Sequence, residues 1–274
     1  MGRGANADSE SNEGVSVAPD GSRIAFASRA NDIIVADLDQ SNVAKLTDRL
    51  YAFQPLWSPD GSRILFGTAG RPQGIQVANA DGTGILEVGS GMDPRWSPDG
   101  SQIAFVAVER DHSDIGVMSA NGTDPRVLTD GSTFVLRPSW APDGSRIAFE
   151  TLSNDRVLLQ VVNVDGSNRT TLADLLVFLM VGMRPVSWSP DGSRLVFARM
   201  PVPLTELASA GPEVGVDIYS VDADGSNLTR LTAEGTNVEP TWSPTRRCGT
   251  ALRGAGCAGI AASPSGGLVE REPR

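Results

Sequence analysis

Histidine is nearly absent from this chain of 274 residues, because His112 is the only one. Histidine supplies the base of most nucleophilic triads and the ligands of multi-histidine metal sites. No Gly-x-Ser-x-Gly motif marks a hydrolase nucleophile either. His112 lies in the polar segment VERDHSDIG, where we expect an ordinary solvated loop histidine. The sequence therefore predicts a protein without catalytic residues, a metal ion or a cofactor.

Cysteine and long apolar runs are also scarce. The only cysteines, Cys248 and Cys257, favour an incidental free pair, and a single disulfide is the alternative. The most apolar window, Leu175 to Met183, is far shorter than the roughly 20 residues that span a bilayer, so it predicts a buried strand and no membrane span. The N-terminus contains no apolar signal-peptide core. We therefore expect a cytoplasmic protein unless a leader is missing from this chain.

Basic residues are in deficit. The chain has 23 Lys and Arg residues against 33 Asp and Glu residues, which gives a formal net charge of −10. This charge repels phosphate backbones and anionic lipids. A nucleic-acid partner is therefore not expected.

What the sequence does contain is a repeat built around Pro-Asp-Gly-Ser. Its copies read VAPDGSRIAF, WSPDGSRILF, WSPDGSQIAF, WAPDGSRIAF and WSPDGSRLVF, and they begin at Val17, Trp57, Trp96, Trp140 and Trp188. A sixth copy stops after Trp242-Ser243-Pro244. The copies recur at intervals of roughly 40 to 54 residues, a period typical of propeller blades.

Turn chemistry divides each unit into four short strands. Ser-Pro-Asp-Gly places proline at the second position of a type I turn and glycine at the fourth, which predicts the hairpin between strands one and two. A later Asx-Gly pair predicts the hairpin between strands three and four. The turn residues of the complete tryptophan-containing copies are Asp60, Gly61, Asp99, Gly100, Asp143, Gly144, Asp191 and Gly192.

The strands themselves predict how the units pack. Strand two carries two large apolar residues two positions apart, such as Ile64 and Phe66, and radial stacking of blades buries the face they share. A proline shortly before the tryptophan places strand one at a sheet edge, because proline cannot donate to a ladder. The repeat tryptophans are Trp57, Trp96, Trp140, Trp188 and Trp242. We therefore predict an all-β propeller of four-stranded antiparallel blades, with five complete blades and the first strand of an incomplete sixth.

These units resemble the PD repeats of TolB-like β-propellers, which are related to WD repeats, over roughly residues 14 to 244. The resemblance implies a non-catalytic, monomeric scaffold that binds a protein or peptide partner, such as a peptidoglycan-associated lipoprotein of the bacterial envelope. It also implies a periplasmic or other extracytoplasmic location. PD-type propellers resemble, in addition, the gating domain of prolyl-oligopeptidase-like serine peptidases. That alternative requires an α/β-hydrolase domain, which this sequence does not show.

The extent of the repeat divides the chain into three regions. Residues 1–12 are predicted to be a disordered N-terminal segment, residues 13–244 the propeller, and residues 245–274 an atypical, disordered tail. A truncated or frame-altered sixth blade is favoured as the origin of the tail. A disordered tail on a partly closed ring is the alternative.

The residue before each strand-one proline is the candidate partner-binding position. In a closed propeller these residues would form a ring of mixed charge near one channel mouth, which suits a polar peptide or a carboxylate ligand. Arg137 and Arg184 would hold such a carboxylate. Ordinary solvated strand ends are the alternative interpretation. The five positions are Gln54, Asp93, Arg137, Arg184 and Glu239.

Overall fold

A computed structural model describes residues 14–39, 41–70, 73–131, 133–153, 156–175, 186–199, 216–232, 237–243 and 259–264. Within these ranges the regular structure consists of β-strands, and no helix is present that could cross a membrane. The chain divides into two compact units, Met1–Ser90 and Gly91–Arg274. Each unit is described below by itself.

The described strands form five sheets of four antiparallel strands, and in every sheet the strands follow chain order. The first unit holds blades 1 and 2. Blade 1 is β1 (Val15–Val17), β2 (Arg23–Ala27), β3 (Ile33–Asp37) and β4 (Val43–Lys45). Blade 2 is β5 (Ala52–Trp57), β6 (Arg63–Thr68), β7 (Gly74–Asn79) and β8 (Leu86–Ser90).

The second unit holds blades 3, 4 and 5. Blade 3 is β9 (Met92–Trp96), β10 (Gln102–Val108), β11 (Ser113–Ser119) and β12 (Arg126–Val127). Blade 4 is β13 (Phe134–Trp140), β14 (Arg146–Ser153), β15 (Arg156–Asn163) and β16 (Thr170–Asp174). Blade 5 is β17 (Val186–Trp188), β18 (Arg194–Arg199), β19 (Asp217–Asp222) and β20 (Thr229–Arg230). The prediction of five complete four-stranded blades is therefore confirmed.

A sixth sheet differs from the expectation. Its first strand is β21 (Asn237–Ser243), as the repeat predicted, but β21 pairs antiparallel with a second strand, β22 (Gly259–Pro264). Six residues of the predicted disordered tail are thus ordered as a strand. The physical reason is that β21 offers an unpaired row of backbone N–H and C=O groups, which favours pairing with another extended segment. The rest of the tail, with Cys248 and Cys257, lies outside the described residues.

The turns between strands one and two have the expected geometry. In blade 2 the N–H of Gly61 donates to the carbonyl of Ser58 at 2.9 Å, and Gly61 has a φ of 70°. The Asp60 carboxylate accepts the N–H of Ser62 at 3.0 Å and the hydroxyl of Ser58 at 2.6 Å. These hydrogen bonds to the charged form lower the pKa of Asp60 to about 2. The Ser-Pro-Asp-Gly-Ser segment therefore forms the hydrogen bonds that fix the conformation of the hairpin turn.

Strand two is buried on both of its faces in blades 2 to 5. In blade 2 the side chains of Ile64, Leu65 and Phe66 are all buried. The same holds for blades 3, 4 and 5, whereas Ile24 and Phe26 of blade 1 are half-buried. The sequence predicted burial of one face only. In blade 4 both faces are covered, because Ile147 and Phe149 pack with residues of blade 3 and Ala148 packs with residues of blade 5.

The repeat tryptophans join successive blades within each unit. The indole N–H of Trp57 donates to the carbonyl of Ser16 in blade 1 at 3.1 Å, and the guanidinium of Arg23 lies 4.7 Å from the Trp57 ring centroid. In the second unit the equivalent indole bonds run from Trp140 to Arg95, from Trp188 to Ser139 and from Trp242 to Ser187. Trp57, Trp96 and Trp188 are buried, and Trp140 and Trp242 are half-buried.

Candidate binding site

The candidate positions before the strand-one prolines share an unusual backbone conformation. Gln54, Asp93 and Arg137 have φ values of 50°, 49° and 54°, in the left-handed region that L-residues rarely adopt. At each of these positions the pairing of strand one with strand two shifts register. The following prolines, Pro55, Pro94 and Pro138, are buried. Blades 2, 3 and 4 therefore contain a β-bulge that displaces one half-exposed polar residue from the regular pairing of the edge strand.

In the second unit, this bulge brings together three charged residues. Arg137 Nη1 of β13 lies 2.9 Å from Glu150 Oε2 on the adjacent β14. Glu150 is only 4% exposed, and burial raises the pKa of its carboxyl group above the ordinary value. Arg137 opposes this shift, whereas the negative charge of Asp93 on β9 adds to it. Asp93, Arg137 and Glu150 form what we call the blade 4 cluster, which carries one positive and two negative groups when all are ionised.

Glu150 is the charged residue of this cluster that the sequence did not predict. The repeat copies align Glu150 with Ala27, Gly67, Val106 and Ala198, since each follows the phenylalanine of strand two. A buried carboxylate at a position that is otherwise small or apolar requires a partner, because desolvation penalises the charge. Aligning the repeat copies and asking for the one charged residue would have identified it.

The other sequence-derived positions fall in different places. Gln54 lies in the first unit, half-buried on β5. Glu239 is part of β21, where its backbone pairs with Ser263. Arg184 lies outside the described residues. The expected carboxylate grip by Arg137 and Arg184 therefore stays a prediction for Arg184, while Arg137 already contacts a carboxylate of the protein itself.

A second charged pair recurs where strand three begins. In blade 1 the buried Asp32 lies 2.9 Å from Lys45 Nζ, and the hydroxyl oxygen of Thr47 accepts the N–H of Ile33, the first residue of β3, at 2.8 Å. Blade 5 repeats the arrangement, with Asp217 Oδ2 at 2.5 Å from Arg230 Nη2. Blade 4 has Leu158 at the aspartate position, and its own charged pair, Arg156 with Asp174, begins two residues earlier on strand three. These pairs connect the start of strand three to strand four.

His112 lies in the loop that the sequence predicted, but its side chain is half-buried and contacts two carboxylates. Its Nδ1 lies 2.9 Å from Asp111 Oδ1, its Nε2 lies 3.5 Å from Asp114 Oδ2, and its side chain is 29% exposed. The hydrogen bond with Asp111 is the main reason that the pKa of His112 is raised above 6.5. The one sequence signal for these contacts is that Asp114 aligns with Asp32 and Asp217 in the repeat, which marks a carboxylate beside His112.

The family comparison agrees with the geometry of the blades. The family model of the TolB beta propeller domain matches residues 5–177, more than half of the chain. The chain belongs to the TolB β-propeller family. The comparison with curated proteins found no match.

Solved structures show how far the likeness to TolB extends. TolB from Acinetobacter baumannii aligns with a TM-score of 0.59 and 20% identity, over 81% of this chain and 54% of that one. A protein described as TolB from Agrobacterium tumefaciens aligns with a TM-score of 0.59 and 21% identity, over 92% and 90%. The oligogalacturonate lyase of Vibrio parahaemolyticus aligns with a TM-score of 0.60 and 12% identity, over 81% and 65%. This chain thus spans about half of the Acinetobacter TolB, and at these identities the likeness shows the fold alone.

Proposed function

We propose that this TolB-family propeller is a non-catalytic binding module that engages a protein or peptide partner through the bulge residues of its edge strands. The observation that supports the proposal is the repeated left-handed bulge. A non-glycine residue in this conformation costs on the order of 1 to 3 kcal/mol, and such strain is found mainly at functional positions. Here it recurs with different polar side chains, Gln54, Asp93 and Arg137, on an otherwise repeated frame.

The charge of the blade 4 cluster favours a basic group on the partner. Glu150 accepts a hydrogen bond from Arg137, and Asp93 adds a second negative charge to the same neighbourhood. An ammonium or guanidinium group would relieve the repulsion between the two carboxylates. The net charge of −10 acts in the same direction, since it attracts basic partners at long range.

Resemblance to TolB supports an extracytoplasmic location and a partner in the bacterial envelope. The lyase from Vibrio shows that this propeller fold also occurs in an enzyme. We nevertheless propose the binding role, because the sequence offers a single histidine and no hydrolase nucleophile motif.

Calorimetric titration with a purified peptidoglycan-associated lipoprotein tests the proposal. Binding is expected for the wild type and a weaker affinity for Asp93→Asn, which removes one of the two negative charges of the cluster. Asp81→Asn is the matched control, because Asp81 lies at the opposite end of its blade and blade 3 has Asn121 at the equivalent turn position. An affinity that falls equally in Asp81→Asn and Asp93→Asn, or no binding by the wild type, would count against the proposed function.

A further inference from the structure

Blades 1 and 5 neutralise a buried aspartate at the start of strand three with a permanent cation. Lys45 and Arg230 lie on strand four opposite Ile34 and Tyr219, and they pair with Asp32 and Asp217. Lysine and arginine keep their charge throughout the physiological pH range. These two contacts are therefore insensitive to moderate changes of pH.

Blade 3 has the buried aspartate without the strand-four cation. Asp114 is 7% exposed, and the residue of β12 at the cation position, opposite Gly116, is Val127. The cation that faces Asp114 in the structure comes from the other side, from the imidazole of His112 in the β10–β11 loop. A buried carboxylate needs a hydrogen-bonded or charged partner, and here the charge of that partner depends on pH.

Asp114 also anchors the connection between β12 and β13. Its Oδ1 accepts the N–H of Gly131 at 2.7 Å and the hydroxyl of Thr129. The His112 ring packs closely against Gly131. A side chain at this position would have its Cβ only 2.9 Å from the ring. The next residue, Ser113, exchanges hydrogen bonds with Val135 of β13 at 2.8 and 3.1 Å. The loop of His112 is thus bonded to the strand that carries Arg137.

We propose that His112 is a pH-dependent counter-ion of Asp114, which stabilises the β12–β13 connection at mildly acidic pH and releases it as the imidazole loses its proton. This device does not depend on the proposed binding function. It makes blade 3 the titratable member of a set whose other described members are held by permanent charges.

The groups that face His112 set the direction of the effect. They are Asp111 and Glu109 from its own loop and Asp114 from β11, all acidic. On the β12–β13 connection, Asp130 precedes Gly131 and pairs with Arg169 of blade 4 at 2.8 Å. Because the folded-state pKa of His112 is raised, its stabilisation is fully present below pH 6.5 and is lost as the pH rises through the raised value.

The first measurement is the NMR titration of the His112 ring, which is the only imidazole in the chain. The midpoint is expected above 6.5 in the wild type and lower in Asp114→Asn. A wild-type midpoint at or below 6.5 would overturn the proposal without any variant being needed.

The second measurement is amide hydrogen exchange at Gly131, corrected for the intrinsic pH dependence of exchange. Protection in the wild type is expected to fall as the pH passes the His112 midpoint, by up to a factor of ten for each pH unit by which that midpoint exceeds 6.5. Val127→Lys supplies the strand-four cation that blade 1 has, so its protection should no longer depend on His112. His112→Gln should show low protection at every pH. The same pH dependence in His112→Gln as in the wild type would refute the switch.

Discussion

The two ends of each blade follow different rules. At the end where strand one turns into strand two, five blades use the same bonds: the aspartate of Pro-Asp-Gly-Ser accepts the N–H of the serine two residues later at 2.9 to 3.0 Å. The opposite end differs from blade to blade. The differences concern the bulge residue, the residue after the strand-two phenylalanine and the charged pair of strand three. The repeat therefore encodes the frame at one end and leaves the other end open to specialisation.

The same substitution should therefore have a similar effect in every blade at the turn end and a blade-specific effect at the opposite end. The turn aspartate accepts the same backbone hydrogen bond in each of the five blades, because its partner is its neighbour in the sequence. Glu150 instead depends on Arg137, and blades 2 and 3 have Gln54 and Asp93 at the position of that arginine. Three substitutions test this difference between the two ends through their effect on stability.

Arg137→Ala tests the specialised end and should have the largest effect. It leaves Glu150 buried beside Asp93 without its counter-ion, and removal of one partner of a buried pair costs about 3 kcal/mol or more in the free energy of unfolding. Urea denaturation at neutral pH measures the loss. Because the pKa of Glu150 is raised in the folded state, the loss should grow as the pH rises from 4.5.

A double variant distinguishes charge from packing in this experiment. Arg137→Ala combined with Glu150→Val, the residue type that blade 3 has at Val106, removes the buried charge and should recover most of the stability. A double variant that is as unstable as Arg137→Ala alone would mean that the arginine acts through packing.

Gly144→Ala tests the repeated end and should have an intermediate effect. Gly144 has a φ of 71°, and a side chain in this left-handed region costs about 1 to 2 kcal/mol although the site has room for the methyl group. The same loss is expected at Gly61 and Gly192, with φ values of 70° and 68°. Thermal or urea unfolding measures it. Gly14→Ala is the control, because Gly14 lies outside the left-handed region and its new Cβ would meet ordinary contacts at 3.8 Å; equal losses at Gly14 and Gly144 would contradict the argument.

Ser58→Ala should have the smallest effect. It removes a hydrogen bond to Asp60, worth about 1 kcal/mol net, and reproduces the alanine that blades 1 and 4 have at Ala18 and Ala141. The pKa of Asp60 should rise from about 2 toward the ordinary value, as measured by carboxyl NMR. A lowered pKa means that this stabilisation is present above about pH 3.8 and is lost as the pH falls toward 2, so the variant should lose less on acidification. An unchanged Asp60 pKa would show that Ser58 is not its main partner.

Much of this protein could be predicted from the sequence because the information is local. Pro-Asp-Gly-Ser specifies its own turn through a proline, a left-handed glycine and a carboxylate that reaches only its near neighbours, and alternation on strand two predicts one of its two buried faces. The pairing of β21 with β22 was not predictable in this way. No turn motif connects these strands, and the segment around Gly259 does not continue the repeat.

The tertiary structure alone decided which side chains meet. Glu150 and Arg137 are separated by a turn and a register shift. The bulge that brings them to 2.9 Å depends on the left-handed conformation of Arg137, which the sequence does not predict. His112 and Asp114 are close in sequence, yet their contact matters because Val127, on another strand, is not a cation. The sequence by itself determined the frame, since hairpins and strand faces are set by neighbouring residues. The charged contacts were decided by packing, because they join residues whose proximity only the folded sheets create.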